Sequence, residues 1–266
     1  MGAKKTEPGH RAAPLQARKR RRSQTATQAD ADESALCARA IAVASPIDEW
    51  PAEAQQRLAA ASRVRCLRRG SRIISEGEPM DAALLIAQGD IEVSISGADG
   101  RRFTYALGWQ GAIFGMLALF DGRGMPHDLN ALSDVTLVAI PFAAIRSELA
   151  AAPALWKSLA YDMAWRFRNL FDMVNGHALD PVPVRLAKVL LRIARTEGEP
   201  GPRGVVIKPR LTQEQLGALI GVSRQTAVQH LRDLVDRGLV AWRYGRATLL
   251  DVAELQALAA ALPNKP

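Results

Sequence analysis

The sequence predicts an α+β chain with three parts in order: an antiparallel β-roll, one long helix and a C-terminal winged helix-turn-helix. Residues 64–140 hold short strand-like segments between closely spaced glycine turns, a pattern typical of a compact antiparallel barrel or sandwich. A helical apolar pattern runs from Pro153 to Leu179, and residues 211–238 have the spacing of two short helices joined by a tight turn. The predicted divisions are a tail (1–33), a roll with flanking helices (34–152), a long helix (153–180) and a C-terminal domain (181–266).

Charge is distributed unevenly along the 266 residues. The net charge is +7 over residues 1–28, −5 over residues 29–180 and +6 over residues 181–266. A basic C-terminal domain suits a partner rich in phosphate, whereas the acidic middle segment would avoid DNA. The tail has little to bury and is predicted to be disordered. Its basic run, residues 18–22, is interpreted either as a nonspecific DNA contact or as a solvated tail with no defined role.

Composition excludes several classes of protein. No apolar run reaches about 18 residues and the N-terminus lacks the apolar core of a secretory signal, so we expect a cytoplasmic protein without a membrane span. Two cysteines, Cys37 and Cys66, supply neither a disulfide framework nor a four-cysteine metal or iron–sulfur site, and no metal site is predicted. Cys66 is expected to be a small buried hydrophobe, with a redox or metal ligand as the alternative.

The elements of the roll follow from local pattern. Residues 36–64 are predicted to be helical, with interruptions at the two prolines Pro46 and Pro51. Ile91, Val93 and Ile95 alternate with polar residues, which places one face of their strand in the core. A turn is expected at 99–100, an Asp-Gly pair.

The long helix is about 26 residues, or roughly 39 Å, and Pro153 suits its first turn. It carries two apolar stripes, so one is expected to pack on the roll and the other on a twin helix in a two-fold dimer. A single broad core face is the alternative. The stripe assigned to the dimer contains Trp156, Leu159, Met163, Leu170 and Met173, and the second contains Leu155, Phe167, Phe171 and Val174.

Residues 180–183, Asp-Pro-Val-Pro, end this helix and are interpreted as a hinge. A new helix is predicted from Val184 to Ala194, then a loop over Gly198–Gly204 and a short strand over Val205–Lys208.

The helix-turn-helix is predicted from its caps and its apolar spacing. Thr212 and Gln215 have the spacing of a capping box, Gly221 suits the left-handed residue that ends the first helix, and Ser223 caps the second. The second helix places Ala227, Leu231 and Leu234 on its inner face and Arg224, Gln225, Gln229 and Arg232 on its outer face.

The outer face has the chemistry of a DNA-reading helix, although an ordinary helical hairpin with a solvated face is the alternative. Arg224 can make a bidentate contact to guanine, and Gln225 or Gln229 can pair with adenine. Phosphate contacts are predicted for Thr212, Ser223 and Thr226. Residues 238–250 then predict a β-hairpin wing with a turn at Gly245 and with Arg243, Tyr244 and Arg246 near its tip.

Taken together, the order of parts resembles the catabolite activator protein (Crp-Fnr) family of bacterial transcription regulators over roughly residues 46–250. The resemblance implies a sensor jelly roll of the cyclic-nucleotide-binding kind, a dimerisation helix and a winged helix-turn-helix that binds palindromic double-stranded DNA. It also implies a contact between the loop 120–124 and RNA polymerase. The residues that carry it are Glu76-Gly-Glu78, Gly89, Asp99-Gly100, Phe114-Gly115, Leu119-Phe-Asp-Gly122, Pro153-Ala-Leu155, Arg185-Leu-Ala187, Leu211-Thr212 and Gly221-Val-Ser-Arg-Gln-Thr226.

Departures from the family pattern bear on the effector. In members that bind cyclic nucleotides, a Glu holds the ribose and an Arg-Ser or Arg-Thr pair holds the phosphate. These positions correspond here to Met116 and to Met125-Pro126, and the adenine-contacting pair corresponds to Leu170-Phe171. We therefore expect no cAMP or cGMP in the familiar mode, unless Arg123 or Arg166 substitutes. The candidate effector pocket comprises Phe114, Gly115, Met116, Met125, His127, Arg166 and Leu170.

The effector stays unidentified at this level. Haem-sensing members ligate iron through His, Cys or an N-terminal Pro, which makes His127 and His177 candidates, with ordinary core or surface histidines as the alternative. The function predicted is a dimeric, sequence-specific DNA-binding regulator, with or without a small-molecule effector. The alternative is a small-molecule or haem sensor or carrier with little specific DNA binding. An enzyme is not predicted, because no catalytic set stands out.

Overall fold

The computed structural model describes residues 30–97 and 102–260. Helix α1 covers 30–41, so residues 30–33 are helical rather than part of a disordered tail. The basic run 18–22 and the predicted turn at 99–100 lie outside the described residues. A 3-10 turn (Ile47–Glu49) and α2 (Ala52–Ala61) complete the N-terminal helices.

Among the described residues, the strands of the roll are β1 (Arg63–Leu67), β2 (Arg72–Ile74), β3 (Ala82–Gln88), β4 (Ile91–Ser96), β5 (Arg102–Gly108), β6 (Ile113–Phe114), β7 (Asp128–Ala131) and β8 (Val135–Pro141). They form two four-stranded antiparallel sheets, ordered β1-β8-β3-β6 and β2-β7-β4-β5. The predicted alternation along β4 holds for Ile91 and Val93, which are buried, but not for Ile95, which is exposed, because a bulge after Val93 changes the register. Cys66 is also exposed, on edge strand β1, which corrects its prediction as a buried hydrophobe.

Helices connect the roll to the rest of the chain. Short α3 (Met116–Asp121) and α4 (Phe142–Ala151) pack on the roll, and the segment Pro153–Leu155 is a 3-10 turn rather than α-helix. The long helix α5 runs over Trp156–Leu179, close to the predicted range. None of the helices among residues 30–97 and 102–260 combines the length and hydropathy required to cross a membrane.

The C-terminal domain has its own apolar core, built around Leu190, Leu216 and Leu231. Two of its elements differ from prediction: α6 begins two residues earlier than Val184, after Pro181 as its N-cap, and the expected loop 198–204 is largely a β-hairpin. Helix α9 was not predicted. The elements are α6 (Val182–Glu197), β9 (Gly198–Gly201), β10 (Gly204–Ile207), α7 (Gln213–Ile220), α8 (Arg224–Asp236), β11 (Val240–Arg243), β12 (Arg246–Leu249) and α9 (Val252–Ala260).

Candidate DNA-binding surface and effector region

Helix α7 and its turn have the predicted local chemistry. The backbone N–H of Thr212 donates to Gln215 Oε1 at 2.6 Å, and the backbone N–H of Gln215 donates to Thr212 Oγ1 at 3.0 Å, which completes the capping box. Gly221 ends the helix at φ +69°, in the left-handed region. Sequence reasoning missed Gly217, where a Cβ would lie 2.9 Å from the carbonyl oxygen of Val222, so a residue without a side chain lets the two helices turn tightly.

Helix α8 presents a polar face to solvent. The backbone N–H of Thr226 donates to Ser223 Oγ at 3.2 Å, which caps the helix as predicted. The predicted inner residues are buried, and the side chains predicted to face outward are exposed: Arg224, Gln225, Gln229 and Arg232. This arrangement exposes two guanidinium groups and two amides of the kind that can pair with the edges of bases in a major groove.

Side-chain hydrogen bonds hold the start of α8. Arg224 Nη2 donates to Gln213 Oε1 at 3.2 Å, which connects the first helical residue of α8 to that of α7. The hydroxyls of Ser223 and Thr226 lie 2.9 Å apart and share a hydrogen bond. Within the described residues, Gln225, Gln229 and Arg232 make no hydrogen bond through their side chains, so their polar groups are available.

The wing extends this polar surface. Strands β11 and β12 pair Arg243 with Arg246 across a turn whose residues Tyr244 and Gly245 both have positive φ. Tyr244 is 94% exposed. The backbone N–H of Leu211 donates to the carbonyl of Gly245 at 2.8 Å, which holds the wing beside the segment that leads into α7. The exposed Arg210 lies in that segment, and it adds a cation that sequence reasoning had not singled out.

The predicted effector residues do not all meet. Met116 and Met125 are both buried, but they belong to two different apolar clusters. Gly115 has φ +91°, and a Cβ there would lie 2.8 Å from Met80 Cε. Leu170 is 47% exposed on α5. Met116 therefore faces the core between the roll and its helices, and Leu170 faces solvent. Neither residue shares a pocket with Met125 in the roll interior.

His127 is the centre of an aromatic cluster inside the roll. Its ring makes edge contacts with Tyr105 at 5.4 Å and with Phe114 at 6.5 Å between centroids. Its Nδ1 is buried without a hydrogen-bond partner among the described residues. Burial lowers the pKa of His127 to about 4 against smaller opposing contributions from a backbone hydrogen bond and from the charge of Asp128, and the positive charge of Arg166 adds a still smaller lowering effect. Sequence reasoning did not include Tyr105 among the pocket residues. The signal available for it was its position in the predicted strand 103–107, which is β5 in the structure.

Arg166 lies near this cluster but is already paired. Its Nε donates to Asp162 Oδ2 at 2.7 Å, one turn earlier on α5. Its charge also acts on Tyr105, whose pKa is raised mainly by burial. The roll interior thus combines aromatic rings and a neutral histidine, and Met125 is at the position that the family resemblance assigns to a phosphate-binding arginine.

Helix α5 divides its apolar residues differently from the prediction. Leu159 is 1% exposed and belongs to the core of its own chain, and Met163 packs against the same core. Leu159 is therefore buried within its own chain and cannot pack on a twin helix. Met173, which was also assigned to the dimer, lines a cleft between α5 and α6 instead. The exposed apolar surface, called here the α5 stripe, consists of Trp156, Phe167, Leu170, Phe171 and Val174.

His177 forms a junction between the roll and the C-terminal domain. Its ring meets Phe103 of β5 edge-on, with the centroids 5.1 Å apart. On its other side it packs so closely on Gly221 that a Cβ there would lie 2.8 Å from His177 Cε1. Leu107 and Trp109 of the roll also contact the apolar core of the C-terminal domain. The end of α7 therefore contacts both α5 and the region of the roll near β5.

Comparison with known proteins agrees with this architecture. Residues 64–151 match the model of the cyclic nucleotide-binding domain, and residues 184–258 match the Crp-like helix-turn-helix domain. A curated relative from Mycobacterium tuberculosis, a CRP-like cAMP-activated global transcriptional regulator, is 30% identical over 186 residues, which are 70% of this chain and 83% of the relative. The chain belongs to the Crp-Fnr family of transcription regulators.

Other Crp-Fnr proteins share the same layout. The global nitrogen regulator of Synechococcus elongatus is 26% identical over 189 residues, covering 70% of this chain and 85% of the relative. The solved structure of FixK2 from Bradyrhizobium japonicum superposes with a TM-score of 0.67 at 19% identity, covering 76% of this chain and 99% of that chain. This Crp-Fnr regulator binds DNA through its helix-turn-helix domain, which includes α7 and α8.

Proposed function

We propose that two copies of the chain form a homodimer through the α5 stripe and bind a palindromic site in double-stranded DNA. The stripe carries five exposed large apolar residues on one helix, and Phe167 and Phe171 already stack edge-on at 4.7 Å. Parallel pairing of two such helices buries this surface and relates two α8 helices by two-fold symmetry. The half-sites are then one helical turn apart, about 34 Å from centre to centre.

Dimerisation is tested by charge insertion. Phe171→Glu places a carboxylate in the paired stripe, and we expect monomers by analytical ultracentrifugation at concentrations where the wild-type chain is dimeric. Tyr161→Glu is the matched control, because Tyr161 is an equally exposed aromatic residue on another face of α5. A Phe171→Glu variant that stays dimeric would place the interface elsewhere.

The outer face of α8 is the observation that carries the DNA-reading proposal. Arg224, Gln225 and Gln229 read base edges, while Thr212, Ser223 and Thr226 contact phosphate. Arg243 and Arg246 of the wing add backbone contacts. In Crp-Fnr members that bind the family's usual half-site, the position of Gln225 is occupied by Glu, a hydrogen-bond acceptor for cytosine. Gln225 replaces that carboxylate with an amide, so the preferred half-site of this chain differs in sequence from theirs.

Footprinting on genomic fragments followed by affinity measurement tests this reading. Arg224→Ala should cost about 1–3 kcal/mol at one position of the half-site and relax preference there. Arg203→Ala, an exposed arginine on the β9–β10 turn, serves as the control for loss of charge alone. Equal weakening of all sequences by Arg224→Ala would contradict base reading. Measurements at several salt concentrations count the phosphate contacts.

We also propose that the roll does not bind cAMP in the familiar mode, although the Mycobacterium tuberculosis relative is named as cAMP-activated. A cyclic phosphodiester requires a guanidinium or a set of donors. Met125 is buried in the core, Arg166 is paired with Asp162, and aromatic rings surround His127. Calorimetric titration with cAMP should show no binding at micromolar concentration, and micromolar affinity would overturn this interpretation.

The exposed loop 120–124 is the proposed contact with RNA polymerase, by analogy with the family. A regulator with this role acts on the chromosome in the cytoplasm and does not itself catalyse a reaction. Replacing the exposed Arg123 in Arg123→Ala should then reduce activation of a target promoter in a transcription assay without changing the affinity for DNA. Unchanged activation would exclude this loop.

A further inference from the structure

A cleft of about 530 Å³ lies between α5, α6 and the sheet of the C-terminal domain, to which β10 and β12 belong. It is separate from the aromatic cluster inside the roll and from the outer face of α8. Its volume falls within the range of small-molecule sites, which are commonly apolar with a few charged groups that fix orientation. Its apolar lining includes Trp165, Met173, Val189, Leu219, Leu249 and Val252.

Four basic side chains of α6 line this cleft: Arg185, Lys188, Arg192 and Arg195. Lys188 Nζ donates to Asp180 Oδ2 at 2.6 Å and is therefore neutralised. Within the described residues, Arg192 and Arg195 make no ion pair or hydrogen bond through their side chains. The opposing carboxylate is Asp172, whose charge acts on Arg192 without forming an ion pair within 4 Å. Three guanidinium groups thus face one carboxylate.

Two of these guanidinium groups are poorly satisfied. Arg185 Nη1 reaches the carbonyl oxygen of His177 only at 3.5 Å, and its Nε is buried without a hydrogen-bond partner among the described residues. Burial lowers the pKa of Arg192, because its charge has lost water. The pKa of His177 is lowered by burial and, to a smaller extent, by the positive charges of Arg185 and Arg192. Buried donors and uncompensated cations are costly until an anion pairs with them.

We propose that this cleft binds a small amphipathic anion, with its carboxylate or phosphate on Arg185 and Arg192 and its apolar body against Trp165, Val189 and Val252. The planar fork of arginine suits both anionic groups. The apolar walls select a molecule with a hydrocarbon or aromatic body over a simple inorganic ion.

The α5 stripe leaves this site open in a dimer. At about 100° per residue, Trp165 and Phe167 are roughly 200° apart around α5, so the cleft and the stripe are on different faces. The site also spans the connection between α5 and α6 at Asp180. A ligand that contacts both helices favours one arrangement of α6, and therefore of the helix-turn-helix, over others. This regulatory consequence rests on the proposed DNA-binding function, whereas binding in the cleft does not.

Binding is tested on the full-length protein without DNA. The probes are decanoate and decyl phosphate as amphipathic anions, decanol as the neutral counterpart and acetate as the anion without an apolar body. Calorimetry should detect the two amphipathic anions, with decanol and acetate binding at least about tenfold more weakly. Decanoate should also change the tryptophan emission by removing water from around Trp165, and this change should disappear in Trp165→Phe, which places the probe in the cleft.

Arg192→Met keeps an apolar stem of similar length and removes the charge. We expect it to weaken decanoate and decyl phosphate about 10- to 100-fold, while Arg203→Met leaves their binding unchanged. Arg192→Lys, which keeps the charge, should retain part of the affinity and guards against a folding defect in Arg192→Met. Equal binding of decanol and decanoate, or no effect of Arg192→Met, would overturn the proposal.

A second readout measures affinity for the footprinted DNA with and without decanoate. A ligand-dependent change that is lost in Arg192→Met supports regulation through the cleft. Binding without any change in DNA affinity would contradict the regulatory step alone. If no specific DNA site is found, the proposed function fails, yet the calorimetric result still decides the cleft.

Discussion

The interior of the roll and the outer face of α8 use polar side chains in opposite ways. In the roll, His127 and Tyr105 are enclosed by aromatic packing and hold their neutral forms. On α8, Arg224, Gln225 and Gln229 are exposed over a well-packed inner face. A buried titratable group with a shifted pKa contributes to stability in a pH-dependent way, whereas an exposed polar group remains available for a partner.

This difference locates what the chain keeps from its family and what it changes. The helix-turn-helix has its caps, inner face and outer face together, and it lies within the match to the Crp-like domain. The roll matches the cyclic nucleotide-binding domain, but apolar and aromatic groups surround His127 in its interior. The shared fold therefore carries over the DNA-binding role more directly than the effector.

The largest expected effect is a core truncation under the reading helix. Leu231 is 3% exposed between α7 and α6, so Leu231→Ala should destabilise the C-terminal domain by about 2–5 kcal/mol. Gln229→Ala, two residues away on the exposed face, should change stability by no more than about 0.5 kcal/mol. Hydrogen exchange of α8 amides in the full-length protein measures both. Comparable losses in the two variants would contradict the division of α8 into an inner and an outer face.

Much of the C-terminal domain could be predicted because its signals are local. The capping box of Thr212 and Gln215, the glycine at 221 and the spacing of Ala227, Leu231 and Leu234 each act within one or two turns. Helix α9 escaped because its apolar residues are distributed around the helix without a clear stripe. Its cap did have a signal in the sequence, Asp251 three residues before Glu254, and in the structure the backbone N–H of Glu254 donates to Asp251 Oδ1.

The partners of α5 could not be predicted because both of its stripes are apolar. The packing of Leu159 against the core of the roll shows which of the two stripes is buried within the same chain. The same limit applies to the cluster around His127. Tyr105, Phe114 and His127 come from three segments that are far apart in sequence, and no local spacing brings them together.

The next effect separates the two regions by pH. The pKa of His127 in the folded chain is about 4, below the value of about 6.5 expected when unfolded. As pH falls below 6.5 the unfolded chain takes up the proton first. The contribution of this residue to stability is therefore full above pH 6.5 and is lost as pH falls towards 4, by about 3 kcal/mol. Denaturant unfolding at successive pH values measures the loss.

His127→Phe is the matched variant, since it keeps a ring between Tyr105 and Phe114 and removes the titrating group. Asp128, Arg166 and the other ionisable groups remain, so the difference between the two profiles isolates His127. A wild-type profile parallel to that of His127→Phe would show that the imidazole is not desolvated in the folded chain.

A smaller effect tests the contact between the end of α7 and His177 of α5, where the C-terminal domain meets the rest of the chain. Gly221→Ala should cost about 1–2 kcal/mol, because φ is +69° and the new methyl group would meet the ring of His177. In a His177→Ala background the steric part disappears and only the backbone cost remains. A double-mutant cycle by denaturant unfolding gives the difference. An identical cost in both backgrounds would mean that the end of α7 does not pack tightly on α5.

The smallest effect concerns the cap that orients the reading unit. Thr212→Ala removes the acceptor for the backbone N–H of Gln215 and should destabilise α7 by about 1 kcal/mol, whereas Thr212→Ser keeps the hydroxyl and most of the stability. Because Thr212 is also a proposed phosphate contact, Thr212→Ala should weaken DNA binding about equally for all sequences, unlike Arg224→Ala. Unfolding and binding measurements on the two Thr212 variants separate these roles. Loss of binding in Thr212→Ser as large as in Thr212→Ala would show that the hydroxyl is not the contact.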